Sequence, residues 1–366
     1  MSPARAIANV GAEEDAPLRE SAERARAPVI ALFRDQIERA EPVFGWLPRD
    51  EVCVAWLNTQ PSLAEARSLG RPLFGASPEV TRRCHDKAFA WRVAREQALE
   101  PAPLRDRIEC LSPERLGDPA AVLERIAHQL EHAGDRGLTL KPRLGTSGRG
   151  RVPVRGTEDL ERVRRELPRL ARAGGVLVEP WLQRTQDLSV VLYVAPSAEL
   201  TLVASAELLV TQSGGYRGHR GWIDARGRVT SGSRHDEPMR EAAASVAAAA
   251  AREGYTGPCG IDGLVFEAEG RAWLRPVVEL NARFTTGTLL AACVRERLPE
   301  LRAVGLRPDA PLAFRFDLSA RVPRVPAGSR VSCHALSPAS SPADAVPVLT
   351  VAPTPEEIDE VLGAAS

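Results

Sequence analysis

The stretch "CGIDGLVFEAEGRAWLRPVVELNAR", residues 259–283, leaves a chain few ways to fold. Two apolar runs of strand length flank a tight turn around Gly270, which predicts a β-hairpin. A two-stranded hairpin is marginal alone and needs further strands and a covering layer. The sequence offers both. "GVLVEPWL", "LSVVLYVA" and "LTLVASAELLV" predict strands, the last two antiparallel to each other. "PAAVLERIAHQLEHA" (119–133), the charged segment 157–173 and "EPMREAAASVAAAAAREG" predict helices. The fold class is therefore α/β.

A chain of 366 residues allows two or three structural units. Its hydrophobic content (44%) supports a sizeable core, and a formal net charge of zero argues against a nucleic-acid partner. No apolar run reaches the roughly eighteen residues of a membrane span. The N-terminus lacks an apolar signal core, so a cytoplasmic protein is expected. The six cysteines are scattered without a CxxC pair, which argues for reduced thiols rather than a zinc knuckle. Residues 1–26 show no clear period and are expected to be poorly ordered. Over 27–76, the runs "PVIALF", "EVCVAWLN" and "RPLFG" read as a small N-terminal α/β unit. "SPEVTRRCHDKAFAWRVAREQAL" predicts one helix with Lys87 near its start, stopped by Pro101 and Pro103. Residues 301–366 are Pro- and Ala-rich and read as a small C-terminal extension.

Of 48 basic residues only Lys87 and Lys141 are lysine. Lysine is a compact point charge where arginine is a planar fork. The strand "LTLKP" delivers Lys141, which precedes Gly145, Gly148 and Gly150. Such glycines let backbone N–H groups turn toward an anion, and Thr146 and Ser147 add hydroxyl donors. The loop suits a polyphosphate but is neither a Walker A nor a GxGxxG motif. Glu179 ends a buried strand and Asp187 follows; carboxylates there can accept from an adenine amino group and ribose hydroxyls, or simply face solvent. Asp262 and Glu279 lie on adjacent hairpin strands, and a period of two puts Asn281 and Arg283 on the face of Glu279. Two carboxylates and an amide oxygen make a hard-oxygen site suited to Mg²⁺.

In order, "HDK" (Lys87), "LKPRLGTSGRG" (Lys141), "VEPWL" (Glu179), "GIDG" (Asp262) and "ELNAR" (Glu279, Asn281, Arg283) resemble the motif series of the ATP-grasp superfamily, over about residues 77–295. The resemblance implies an N-terminal pre-ATP-grasp α/β domain (27–76) and an ATP-grasp domain (77–300). Within the latter it implies a glycine-loop lid (about 119–185) and a C-terminal catalytic subdomain. It implies that Lys87 and Lys141 contact ATP phosphates under a lid holding Ser147, Gly148 and Gly150. The Glu179 carbonyl and Leu182 N–H would hold adenine, with Pro180 between them, and Asp187 the ribose. Asp262, Glu279 and Asn281 would bind Mg²⁺ or Mn²⁺, Asp262 standing where some branches carry glutamate. Arg283, with Lys141, would stabilise the reacting phosphoryl group. The implied activity is an ADP-forming carboxylate–amine ligase working through an acyl phosphate. Its partners would be a small-molecule or peptide carboxylate and an amine, without nucleic acid or membrane and with a homodimer as the candidate assembly. An ATP-grasp phosphotransferase and a non-catalytic nucleotide-binding protein are the alternatives.

Other signals weigh less. "HQLEH" (128–132) has inverted-zincin spacing, but no third ligand helix follows. "SGGYRGHRG" (213–221) reads as a basic glycine-rich loop, either solvated or meeting an anionic substrate through Arg217, His219 or Arg220. Cys84 and His85 read as structural, and the alanine run 242–251 as a packed helix.

Overall fold

A computed structural model describes residues 4–7, 16–39, 43–48, 51–133, 136–145, 150–211, 215–336 and 345–364. The chain begins with β1 (Arg5–Ile7), α1 (Ala16–Ile37), β2 (Cys53–Ala55) and α2 (Gln60–Ser68). β1 pairs in parallel with β2, and Ala4, Ala6 and Ile7 are buried. The expected poorly ordered segment 1–26 therefore contains a paired strand, and its boundary falls inside α1. "PVIALF" is helical rather than a separate apolar run. Its Val29, Leu32 and Phe33 are buried and continue to Gln36 and Ile37, the i, i+3, i+4, i+7, i+8 stripe of one helix face.

Next come α3 (Pro78–His85) and α4 (Lys87–Glu96) where one helix was expected. The break is Asp86, whose backbone is extended. Its carboxylate caps α4 by accepting from the Ala88 N–H and takes one edge of the Arg143 guanidinium, accepting from Nε at 3.0 and 3.1 Å on its two oxygens and from Nη2 at 2.5 Å. A cap plus a charge-assisted fork outweighs one more helical bond. The break sets Lys87 at the first position of α4.

The lid is a four-stranded antiparallel sheet with two helices: β3 (Glu109–Leu111), α5 (Pro119–Glu131), β4 (Leu138–Pro142), β5 (Val152–Val154), α6 (Leu160–Arg172) and β6 (Val176–Pro180), in strand order β3-β6-β4-β5. Because β3 pairs with β6, this unit starts about ten residues before the expected boundary at 119. Leu140, Val154, Val163, Leu167 and Val178 fill its own core.

The remaining elements are β7 (Gln183–Val194), β8 (Leu200–Val210), β9 (Tyr216–Ile223), β10 (Val229–Thr230), α7 (Asp236–Arg252), β11 (Gly257–Ala268), β12 (Arg271–Asn281), α8 (Thr286–Glu296), α9 (Leu298–Ala303), β13 (Leu312–Ala320), β14 (Ser332–Ala335), β15 (Val346–Ala352) and α10 (Pro355–Ala364). Among the described residues they build a nine-stranded sheet in the order β12-β11-β7-β8-β9-β13-β15-β14, with β10 on β9. The second half of β7, Leu188–Val194, is apolar apart from Ser189 because both of its faces are covered. Leu188, Val190, Leu192 and Val194 pack with Phe89, Val93 and the alanines of α7, whereas Val191 and Tyr193 pack with Phe33 of α1 and Leu290 of α8. No helix among the described residues is long and apolar enough to cross a membrane.

Two regions differ from expectation. Residues 301–366 are not a separate appendage: β13 pairs with both β9 and β15, and Phe314 and Phe316 are fully buried. Most of the "SGGYRGHRG" stretch is strand β9, in the middle of the sheet. Gly218 permits that: a Cβ there would lie 1.9 Å from the Phe316 carbonyl oxygen. Gly218→Ala is expected to cost about 1–3 kcal/mol or more through forced strand separation, read as a lowered denaturant midpoint at unchanged slope.

Candidate functional site

The hairpin β11–β12 is irregular where it matters. Asp262 pairs with Glu279, and the next partner of Leu264 is Arg275, so Pro276, Val277 and Val278 face Gly263 alone. Pro276 has no N–H for a ladder. Gly263 is the only residue type that fits, since a Cβ would meet the Arg275 carbonyl oxygen at 2.9 Å and the Met239 sulfur at 2.6 Å. Bulges re-aim side chains, and here Arg275 turns inward to a position 4% exposed.

Between the lid and the large sheet lies a cavity of about 290 Å³. The lid contributes Lys141 from β4 and Glu179 from β6, and α4 contributes Lys87. Leu182 and Asp187 enter around the start of β7, while Asp262, Glu279, Asn281 and Arg283 come from the hairpin and its exit. The sequence-derived residues thus converge, with exceptions. Gly150 is not on the wall; its φ is +69° and its carbonyl accepts from Arg169 at 2.8 Å. Ser147 and Gly148 lie outside the described residues.

Two charge clusters organise the cavity. In the first, the Glu179 carboxylate takes the Lys141 ammonium on one oxygen and Arg275, at 2.8 Å, on the other. Burial opposes ionisation of Glu179, but Arg275 and Lys141 more than offset it and bring its pKa to about 2. Burial also pulls the Lys141 ammonium down against the attraction of Glu179. In the second, Lys87 Nζ lies 3.1 Å from Glu279 and donates to the Gly145 carbonyl at 2.9 Å. Burial works against Glu279 too, yet Lys87 and Lys141 hold it near 2. Asp262 goes the other way. Burial first, and the Glu279 charge second, push it up to about 7. Ser189 donates to Asp262 at 2.7 Å, and the Asn281 amide donates to Asp262 at 2.9 Å and to Glu279 at 3.4 Å. Arg283 in turn donates to Asn281 Oδ1 at 2.9 Å.

This donor set fits a divalent cation. Two carboxylates are held together in a buried site where one resists ionisation, and a cation between them would remove that conflict. Asn281 would have to turn its amide oxygen inward to join them. Asp187 lines the cavity but is engaged by Arg184 at 3.1 Å, and burial raises its pKa. The Trp181 N–H is used by the Gly137 carbonyl; among the described residues no acceptor meets the Leu182 N–H.

Sequence reasoning missed Arg275, Ser189 and Tyr216, and offered His219 only as an anion contact on a glycine-rich loop. Arg275 was visible as a charge on the period-two face of Glu279. Ser189 carried no signal inside an apolar strand. His219 is 2% exposed, and its Nδ1 lies 2.8 Å from the Tyr216 hydroxyl. Burial holds the His219 pKa down to about 3. An unfolded histidine titrates near 6.5, so the unfolded chain takes the proton first as pH falls. The stability from neutral His219 is complete above about 6.5 and is lost progressively toward 3. His85, also held near 3 by burial and by Arg283 and Lys87, acts in the same sense. Urea unfolding at pH 7 and pH 5 is expected to show falling stability, and His219→Gln a shallower decline. An equal decline in both proteins would refute the assignment.

Cys84 is buried and its thiol is pushed up to about 12, which suits a structural residue. His128, Glu131 and His132 bring ligand atoms within 4.8 Å of one another, but on the exposed end of α5 rather than on the cavity.

No family model matches the sequence, and no curated protein matches it. Solved structures do. Biotin carboxylase from Campylobacter jejuni, in complex with β-γ-ATP, superposes with a TM-score of 0.55 at 16% identity, over 82% of this chain and 71% of that one. N5-carboxyaminoimidazole synthase from Aspergillus clavatus, with ADP and 5-aminoimidazole ribonucleotide, gives 0.52 at 16% identity, over 86% and 80%. D-alanyl-alanine synthetase A from Vibrio cholerae gives 0.51 at 14% identity, over 82% and 100%. At such identities the likeness is one of fold. The chain has the ATP-grasp fold: a small lid sheet closing over a large antiparallel sheet, with the charged cavity between them.

Proposed function

We propose that this protein is an ADP-forming ligase that uses Mg-ATP to join a carboxylate to an amine. The observation that carries the reading is the convergence of both lysines of the chain, Asp262, Glu279, Asn281 and Arg283 on one cavity. The fold neighbours crystallised with ATP, ADP or MgADP support the nucleotide.

In this reading Lys87 and Lys141 meet the phosphates. Leu182 presents its N–H, and Glu179 its main-chain carbonyl, to adenine; Asp187 lies within reach of the ribose once Arg184 moves aside. Ser147, Gly148 and Gly150 would belong to a loop that closes over the phosphates once ATP is bound. Asp262, Glu279 and Asn281 would hold Mg²⁺, which bound there neutralises phosphate oxygens as a Lewis acid. Arg283 faces the place where the substrate carboxylate attacks the γ-phosphorus. Its fixed guanidinium stabilises charge on the transferring group without reorganisation. The lid excludes water, which would otherwise hydrolyse the acyl phosphate before the amine arrives.

The experiment has two stages. Calorimetry is expected to detect ATP binding that depends on Mg²⁺; no such binding would end the proposal. Product counting then separates a ligase from a phosphotransferase. A ligase releases ADP and free phosphate when both acid and amine are supplied, whereas a phosphotransferase keeps the phosphate on its product.

A further inference from the structure

The motif "HQLEH" plays no part in the cavity, yet the fold gathers its polar groups on the outside of the lid. His128, Glu131 and His132 are spaced i, i+3 and i+4 at the end of α5, which puts them on one face of its last turn. One ligand atom from each lies within 4.8 Å of the other two, and all three side chains are exposed. The two imidazole rings stand 5.2 Å apart, tilted by 41°. His132 is oriented in the way metal-bound histidines usually are. Its Nδ1 lies 3.1 Å from the His128 carbonyl. A carbonyl can only accept, so Nδ1 carries the proton and Nε2 keeps its lone pair for an ion. The backbone beneath is held as well: the His132 carbonyl accepts from Arg107, and its N–H donates to the Gln129 carbonyl at 3.2 Å. Leu104 and Ile108, on either side of Arg107, pack with Leu264 and Phe266 of β11. The cluster therefore stands beside the segment through which the chain enters the lid. Among the described residues no hydrogen bond or ion pair occupies the Glu131 carboxylate or the His128 ring. The arginines around them are engaged elsewhere, Arg125 by Glu109 at 2.6 Å and Arg136 by Gln183 at 3.1 Å. The negative end of the α5 dipole adds to the attraction for a cation.

We propose that His128, Glu131 and His132 bind one zinc ion on the outer face of the lid, separate from the oxygen-donor site in the cavity. Two imidazoles and one carboxylate favour Zn²⁺, whereas Mg²⁺ and Ca²⁺ prefer oxygen donors alone. Three protein ligands leave the fourth position to water. Ligand atoms around a tetrahedral zinc lie about 3.3 Å apart, a separation that small turns of three exposed side chains can reach. None of the three residues lines the cavity. The ion therefore acts as a staple on the last turn of α5, next to the Arg107 contact, and not as a hydrolytic centre.

The test is a calorimetric titration of Zn²⁺ into the full chain, stripped with EDTA, dialysed and held in excess Mg²⁺. One Zn²⁺ per chain is expected, and excess Ca²⁺ should not displace it. His128→Asn and His132→Asn are each expected to weaken binding at least tenfold, since even an outer-shell change typically costs about 10–100-fold in metal affinity. Circular dichroism should be unchanged in both, because the side chains are exposed. Glu279→Gln, which alters the cavity, is expected to leave the Zn²⁺ affinity as it is. Zn²⁺ should also raise the thermal midpoint of the native chain but not that of the double histidine variant. No Zn²⁺ uptake in excess Mg²⁺, an affinity unchanged by either histidine substitution, or loss of the site in Glu279→Gln overturns the proposal. Each of these outcomes leaves the ligase reading untouched.

Discussion

Glu279→Gln is expected to lower acid-dependent ADP formation about 10²–10³-fold while the protein stays folded. Glu279 is the group shared by the two features that the reaction needs. It sits beside Asp262 as the second carboxylate of the proposed cation site, and it holds Lys87 at 3.1 Å. The amide keeps the size of the side chain, and Lys87 keeps its bond to the Gly145 carbonyl at 2.9 Å. Only charge is removed, so a loss of activity reports electrostatics rather than packing. Losing one preorganised partner of a developing charge typically costs on the order of 10²–10³ in rate. The check is steady-state ADP release with circular dichroism on the same sample. Unchanged turnover would sink the assignment of this hairpin as catalytic.

Glu179→Gln is expected to have the largest effect on stability, roughly 3–5 kcal/mol. Glu179 is 3% exposed and Arg275 4%. The carboxylate is the anion between Arg275 and Lys141, and its neutralisation leaves two cations facing each other out of water. Replacing a whole buried ionic group by apolar residues is often tolerated, whereas removing one member is not. The double variant with Arg275→Met should therefore recover much of the loss. Urea midpoints of the single and double variants test this directly. A drop below about 1 kcal/mol for Glu179→Gln would show the cluster to be loosely held.

Much of the fold was legible because its signals are local. The β11–β12 hairpin, β7 and β8, α5, α6 and α7 lie close to where residue patterns put them. Lys87, Lys141, Asp262, Glu279, Asn281 and Arg283 stood out by type and order, and they do meet. The misreadings have a common cause in distant partners. Asp86 breaks a helix because Arg143, 57 residues away, meets it there. "PVIALF" is helical because its stripe continues into Gln36, whose amide reaches the Leu289 carbonyl. The "SGGYRGHRG" stretch reads as a loop, solvated or meeting an anion, whereas pairing of β13 with β9 makes residues 216–221 strand and buries His219.

The sequence alone determined the α/β class, the hairpin that carries the acidic residues, and the identity of most of the charged residues that line the cavity. Periodicity and residue chemistry are properties of the chain itself, so they survive without coordinates. Only the tertiary structure decided that Arg275 turns inward to share Glu179 with Lys141 and that the C-terminal strands join the main sheet. Each of those depends on contacts between segments far apart in the chain, and no local pattern encodes which distant surface a residue will meet.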